Sequence, residues 1–315
     1  MIRHEILKKI NILEKKYDIS NLKYDDFNPW PYIRFILIQK YLSQNLSQQN
    51  KVIEKKNYIR KLYIFLNSTF NYIKNPIKKK NVDVIFFTRT SELEKNLNNK
   101  LFNKFSDSLI CLVKDKLKIK VLETNDLNFL KNNKYFNNET VSIDWIKDFS
   151  IVKSKLISLF KFQKKTTNID CLSKELDIIN LEKQLLILNE FSKKIEIILR
   201  KLNPKIVCLV CFNSTNSMAI SLACHRLKIK VLEFQHGFLD EKDVMYTNWE
   251  NVSDQGYELL PDVFWMWSKQ FQKKINRWAE KTLKHKAIVG GNMWLSYNKK
   301  QDLYKKKQVL KKKIF

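Results

Sequence analysis

Apolar positions along this chain change their spacing more than once. Over the first 76 residues they recur at helical intervals. "WPYIRFILIQKYL" (30–42) and "KKNYIRKLYIFLNSTFNYI" (55–73) place apolar side chains three and four apart, punctuated by Pro29, Pro31 and Pro76. "VDVIFF" (82–87) breaks that period with a short β-branched and aromatic run suited to a strand buried on both faces, and "LKIKVLET" (117–124) is another. Helical spacing returns around 144–163 and again over 176–202. There Leu181, Leu185, Leu188, Phe191, Ile195, Ile198 and Leu202 step by three or four and stop at Asn203-Pro204.

The most regular stretch follows. "KIVCLVCF" (205–212) predicts a strand, 214–227 a helix capped by Ser214 or Thr215, and "KIKVLEFQ" (228–235) a second strand. Strand, helix and strand at this length predict a parallel βαβ unit with a right-handed crossover. "DVFWMW" (262–267), a helix from about 268 to 282, and "KAIV" (286–289) continue the alternation. The predicted class is α/β, a Rossmann-like open parallel sheet wrapped by helices, behind a helical N-terminal region over 1–80. The sheet domain spans 81–297, and 298–315 is a linker into the start of a further domain. "LKIKVLE" occurs identically at 117–123 and 227–233 with unmatched flanks, which fits two buried strands drawn from a biased alphabet better than a duplication.

Composition narrows the functional classes. With 44% apolar residues in 315, the chain is globular. Its 59 basic against 32 acidic residues give a net charge of +27, which favours anionic partners: phosphate-bearing ligands, nucleic acid or an anionic membrane surface. AT-rich codon usage, visible in the abundance of Lys, Asn and Ile, is the rival source of that charge. The lysines are spread along the sequence instead of forming one stripe, so no nucleic-acid partner is expected. Residues 2–15 align Ile2, Ile6, Ile10 and Leu13 on one helical face, which faces either the core or a membrane surface. No apolar run approaches the roughly 18 residues of a membrane span, and the opening residues carry no continuous apolar signal region. Five cysteines without framework spacing fit a reducing compartment. The expected location is cytoplasmic, with peripheral contact at the inner face of the cytoplasmic membrane.

Sheet topology directs attention to strand ends, because ligands of open parallel sheets bind beyond the carboxyl edge. The first strand of the βαβ unit delivers Asn213, Ser214, Thr215 and Asn216 at a helix N-terminus, where free N–H groups attract anions. The second delivers Gln235, His236 and Gly237, in a chain with only four histidines and four glycines. His236 is the candidate general base, since an imidazole titrates near neutrality and accepts a hydroxyl proton. Gly237 lets the backbone turn sharply or approach a ligand. Glu233 shares a strand face with Gln235 and serves as an orienting carboxylate or a rival base. Asp240, Glu241 and Asp243 either orient the imidazole or stay solvated. The competing reading is that Gln235 and His236 only satisfy local backbone groups.

Two further clusters are weaker. Cys208-x-x-Cys211 with Cys224 and His225 has zinc-like spacing only in its first pair, and residues three apart on a strand point to opposite faces. These read as buried, metal-free cysteines. Gly290, Gly291 and Asn292, in "AIVGGNMWLSY" (287–297), suit a backbone passing close to a ligand or a tight interdomain turn. Neither a dinucleotide fingerprint nor a phosphate-binding P-loop occurs, and no cofactor is expected.

"VLEFQHGF", then "LPDVFWMWSKQFQKKINRW", then "AIVGGNMWL" resemble, in wording and order, the bacterial surface-polysaccharide glycosyltransferases of GT-B type. They are similar also to capsule-type transferases related to polyol-phosphate polymerases, which carry a comparable His-Gly at a strand end. "FNPWPYIRF" (27–35) and "VDVIFFTRT" (82–90) resemble early segments of the same group. The resemblance implies two Rossmann-like domains across a cleft, with no metal required. The N-terminal domain would bind a lipid-linked or growing glycan acceptor and supply the base; the C-terminal domain would bind the nucleotide-sugar donor. Carried over, His236 is the base, Gln235 and Gly237 shape its loop, and Gly290, Gly291 and Asn292 lie near the domain junction. Met293 stands where the family often has proline. Residues 298–315 are too few for a nucleotide-binding domain of on the order of 100 residues, so the resemblance implies the acceptor half of a transferase of capsule or O-antigen synthesis. A polyol-phosphate transferase and a non-catalytic basic binding protein are the alternatives.

Overall fold

The computed structural model describes residues 2–46, 77–89, 92–95, 100–124, 140–143, 166–167, 169–240 and 243–300. The helices predicted over 55–73 and 144–163, Glu241, and most of the 298–315 segment lie outside them.

Seven strands form one parallel sheet: β1 (Val84–Thr88), β2 (Ile119–Glu123), β3 (Thr140–Ser142), β4 (Ile206–Val210), β5 (Lys230–Phe234), β6 (Val263–Met266) and β7 (Lys286–Val289). Their spatial order is β7-β6-β5-β4-β1-β2-β3. The chain therefore lays β1, β2 and β3 outward in one direction, returns to place β4 beside β1, and proceeds outward the other way. That is the doubly wound arrangement, and its order reverses between β1 and β4.

The described residues include the helices α1 (Ile2–Lys16) and α2 (Trp30–Leu46) ahead of the sheet, and α3 (Ser106–Val113), α4 (Ile178–Leu202), α5 (Thr215–Arg226) and α6 (Lys269–Ala279) between its strands. Residues 293–300 are also helical. The predicted stripe of α4 is buried at all seven positions, and the helix ends at Asn203 in the left-handed region, φ 46°. That residue turns the chain into β4 before Pro204. Ser214 takes the cap of α5, its Oγ accepting from Ser217 N at 3.2 Å.

The sheet separates two apolar layers. One face carries Ile85, Leu122, Val207, Leu209, Val231, Phe264 and Met266 into the main core, shared with α1, α2, α4, α5 and α6. The other carries Phe86, Val121, Cys208, Val210 and Phe234 against Phe105, Ile110 and Met293. On α1, Ile6, Ile10 and Leu13 point into the main core, which settles the orientation of that face. No helix among the described residues is long and apolar enough to cross a membrane.

A buried polar knot fastens α1 and α2 to the 244–251 loop. Arg34 and Glu14 form an ion pair, both fully buried. Arg34 also donates to Val244 O, Thr247 O and Asn248 O, and its guanidinium lies 4.3 Å from the Trp249 ring centroid. Glu14 accepts from Trp30 Nε1 at 2.9 Å and Glu250 N at 2.8 Å. Every charge is answered, which is the condition under which a buried ion pair is tolerated.

Candidate functional site at the carboxyl edge

β4 and β5 pair in parallel, Val207 with Val231 through Val210 with Phe234, so their carboxyl ends lie side by side. Asn213, Ser214, Thr215 and Asn216 therefore leave the sheet next to Gln235, His236 and Gly237. The two predicted clusters share one edge.

The turn out of β4 departs from the predicted strand. The strand stops at Val210, and Cys211 adopts φ 62°, a left-handed conformation that costs a non-glycine residue roughly 1–3 kcal/mol. The reversal returns the Cys211 side chain to the smaller apolar layer, where Cys208 also packs. The opposed-face argument for the cysteine pair is corrected on that point, because it assumed an unbroken strand. The Cys211 thiol donates to Asn213 Oδ1. Phe212 N donates to Glu233 Oε1 at 2.9 Å, and Thr215 Oγ1 lies 3.3 Å from the Tyr32 hydroxyl, linking α5 to α2.

β5 hands over residues of opposite character. Gln235 is buried: its Nε2 donates to Gly237 O at 2.8 Å and its Oε1 accepts from Trp267 N at 2.8 Å. The amide ties the end of β5 to the end of β6, the bracing role that the competing reading assigned to it. His236 is exposed, makes no side-chain hydrogen bond among the described residues, and sits with its ring 6.0 Å from that of Tyr246. Gly237 has open space where a side chain would stand and no positive φ, so the turn itself does not require glycine. Asp240 is exposed, and Asp243 caps the following turn by accepting from Met245 N and Tyr246 N.

Glu233, three residues before His236, is fully buried. Its Oε1 accepts from Phe212 N and the Tyr246 hydroxyl, while Oε2 has no partner among the described residues. Burial pushes the carboxyl up to about 8, against the pull of the His236 imidazole and the Tyr246 hydrogen bond. At neutral pH Glu233 is thus mostly a neutral acid. Its folded pKa lies above that of an exposed glutamate, so protonation favours the fold. The stabilisation is complete below about 4.5 and is lost as pH rises through about 8. Glu233→Gln is expected to flatten the fall in melting temperature between pH 5 and 9, a difference of roughly several kcal/mol at the alkaline end. Parallel melting curves for the two proteins across that range would sink this account.

The order reversal between β1 and β4 brings in a residue the sequence reading passed over. Arg89 follows β1 directly, and its Nη2 donates across the switch point to Val210 O at 2.8 Å. Its Nε donates to Glu92 Oε1 at 3.3 Å; Glu92 Oε2 accepts from Asn103 Nδ2 at 3.1 Å; Asn103 Oδ1 accepts from Phe105 N and Ser106 N at the start of α3. Burial pushes the Glu92 carboxyl up, opposed by Asn103 and Arg89. Arg89 thus places a partly buried guanidinium beside Cys211. "FFTRT" held the only available signal: a polar, cationic break after an apolar strand.

At the end of β7, Gly291 takes φ 76°, and a Cβ on Gly290 would stand 1.8 Å from the Trp265 ring. Trp265 Nε1 donates to Gly291 O at 2.9 Å. The Gly-Gly pair thus admits an indole. Asn292 begins the helical segment 293–300 by accepting from Leu295 N at 3.2 Å.

A second histidine of this half is structural. His285 is buried, its Nε2 accepting from Tyr257 N at 2.9 Å and its Nδ1 donating to Pro261 O at 2.7 Å; burial pushes its pKa down to about 4. Among the described residues no group of three His, Cys, Asp or Glu side chains could hold a metal ion. An open concavity of about 510 Å³, between 17–21 and 251–255, lies away from this edge. No known protein family matches the chain, and no curated protein matches it.

Proposed function

We propose that the carboxyl edge is the acceptor side of a glycosyltransferase site, serving synthesis of a bacterial surface polysaccharide. The exposed, unbonded imidazole of His236 carries this reading. It stands three residues from a buried acid, beside open space at Gly237, and next to the N-terminus of α5. A hydroxyl of the glycan acceptor would lose its proton to His236 as its oxygen bonds to the anomeric carbon of a nucleotide-activated sugar. The bond from that carbon to the nucleotide's phosphate oxygen breaks, and the nucleotide leaves with the electron pair. The capped N-terminus of α5 and the Arg89 guanidinium offer positive potential for the negative charge that develops. Tyr246 holds Glu233 and packs against the His236 ring, so it positions the base without touching substrate.

Imidazole NMR tests acceptor binding directly. A glycan acceptor is expected to shift the ring resonances of His236 and leave those of His285, buried and bonded at both nitrogens, in place. An acceptor that binds without moving the His236 signals would remove this assignment.

A further inference from the structure

With the apolar stripe of α1 turned into the core, α6 is the helix that presents a cationic face to water. Phe271, Lys274, Ile275, Trp278 and Ala279 are buried. On the opposite side Lys269, Lys273 and Arg277 stand exposed, four residues apart, and Lys281 extends the series one step past the helix. At 1.5 Å per residue the row spans about 18 Å. Lys269, Lys273 and Lys281 form no ion pair among the described residues, whereas Glu190 answers Lys193 and Glu196 answers Arg200 on α4. Glu280 shares the α6 face and accepts from Asn276.

Two large apolar side chains near α6 stand in water, one packed on the helix and one just past its C-terminal end. Phe238 is 75% exposed and Leu283 is 84% exposed. Phe238 is held in that position: its ring meets Phe271 edge-on at 5.4 Å, and Lys274 Nζ sits 5.7 Å from its centroid while donating to Leu239 O. A fixed aromatic held out into water beside a row of cations matches the chemistry of a lipid interface. Ammonium groups meet anionic headgroups, and apolar side chains enter the acyl boundary.

We propose that Lys269, Lys273, Arg277 and Lys281, with Phe238 and Leu283, dock the protein on an anionic lipid surface. α6 begins where β6 ends, so docking would set the carboxyl edge close to the headgroups. This inference stands apart from the glycosyltransferase reading, because its test reads binding alone.

Cosedimentation of the full chain with phosphatidylglycerol-containing vesicles is expected to show binding that pure phosphatidylcholine does not support and that raised salt weakens. Lys269→Glu with Lys273→Glu should lower vesicle affinity by about tenfold or more, and Phe238→Ser should lower it with an unchanged melting temperature. Lys8→Glu with Lys9→Glu, exposed on α1, makes the same change in net charge and should leave most binding intact. Equal loss from the α1 pair would reduce the effect to bulk charge and overturn the proposal, as would equal binding to neutral vesicles. Retention on duplex DNA above that on anionic vesicles, indifferent to Phe238→Ser, would assign the row to nucleic acid and overturn it too.

Discussion

In a protein that joins this chain to a donor-binding C-terminal domain, replacing His236 by alanine is expected to slow sugar transfer by roughly 10²- to 10⁴-fold, the range typical of a lost general base. The melting temperature should hardly move. His236 is exposed and makes no side-chain hydrogen bond among the described residues, and surface substitutions of that kind usually stay within about 0.5 kcal/mol. Rate and melting point must be measured on the same variant, because the alternative predicts the opposite pair. If His236 were a loop brace, transfer would persist and stability would drop. Gln235, by contrast, braces the strand ends through both ends of its amide, so Gln235→Ala should lower the melting point. A His236 variant that keeps full activity would move the search for a base to Glu233, whose buried acid would first have to lose its proton.

The largest stability effect is expected from Arg34. Truncation to alanine removes the partner of buried Glu14, the stack on Trp249, and the donors to three backbone carbonyls. Breaking one side of a buried pair typically costs about 3–5 kcal/mol, because the other charge is left without its counterion. For a chain of this size that corresponds to a melting temperature lower by roughly five to eight degrees. Arg34→Lys should recover only part of it, since an ammonium cannot reproduce a planar fork spread over several acceptors. Replacing both partners with apolar side chains should cost less than removing Arg34 alone. Thermal melts showing Arg34→Ala within about 1 kcal/mol of the native protein would refute the account of the knot.

The βαβ unit was legible in the sequence because its information is local. Period, length and a capping serine all lie within 31 residues, and β4, α5 and β5 fall within a residue or two of expectation. The strands β1, β2, β6 and β7 were legible for the same reason. What escaped depends on pairing between distant segments. Arg89 matters because β4 returns to lie beside β1, and nothing near "FFTRT" announces that return. Gly290 is glycine because of an indole 25 residues earlier, whereas its sequence context suggested a ligand or a tight interdomain turn. Cys211 could not be placed while its strand was assumed to continue, since one left-handed residue reverses the face. Glu14 and Arg34 owe their burial to the 244–251 loop, more than 200 residues away in the chain.

That closure has a consequence for synthesis. Glu14 and the Glu250 amide that it accepts are separated by 236 residues. A ribosome adding about 5–20 residues per second exposes the N-terminal helices roughly 10–50 seconds before the loop that completes their burial can emerge. For that interval Arg34 and Glu14 lack the partners that the 244–251 loop supplies, and the buried ion pair stands open to water on that side. Ribosome-bound chains halted before residue 244 should therefore be cut within α1 and α2 by added protease, and chains halted well beyond residue 290 should resist.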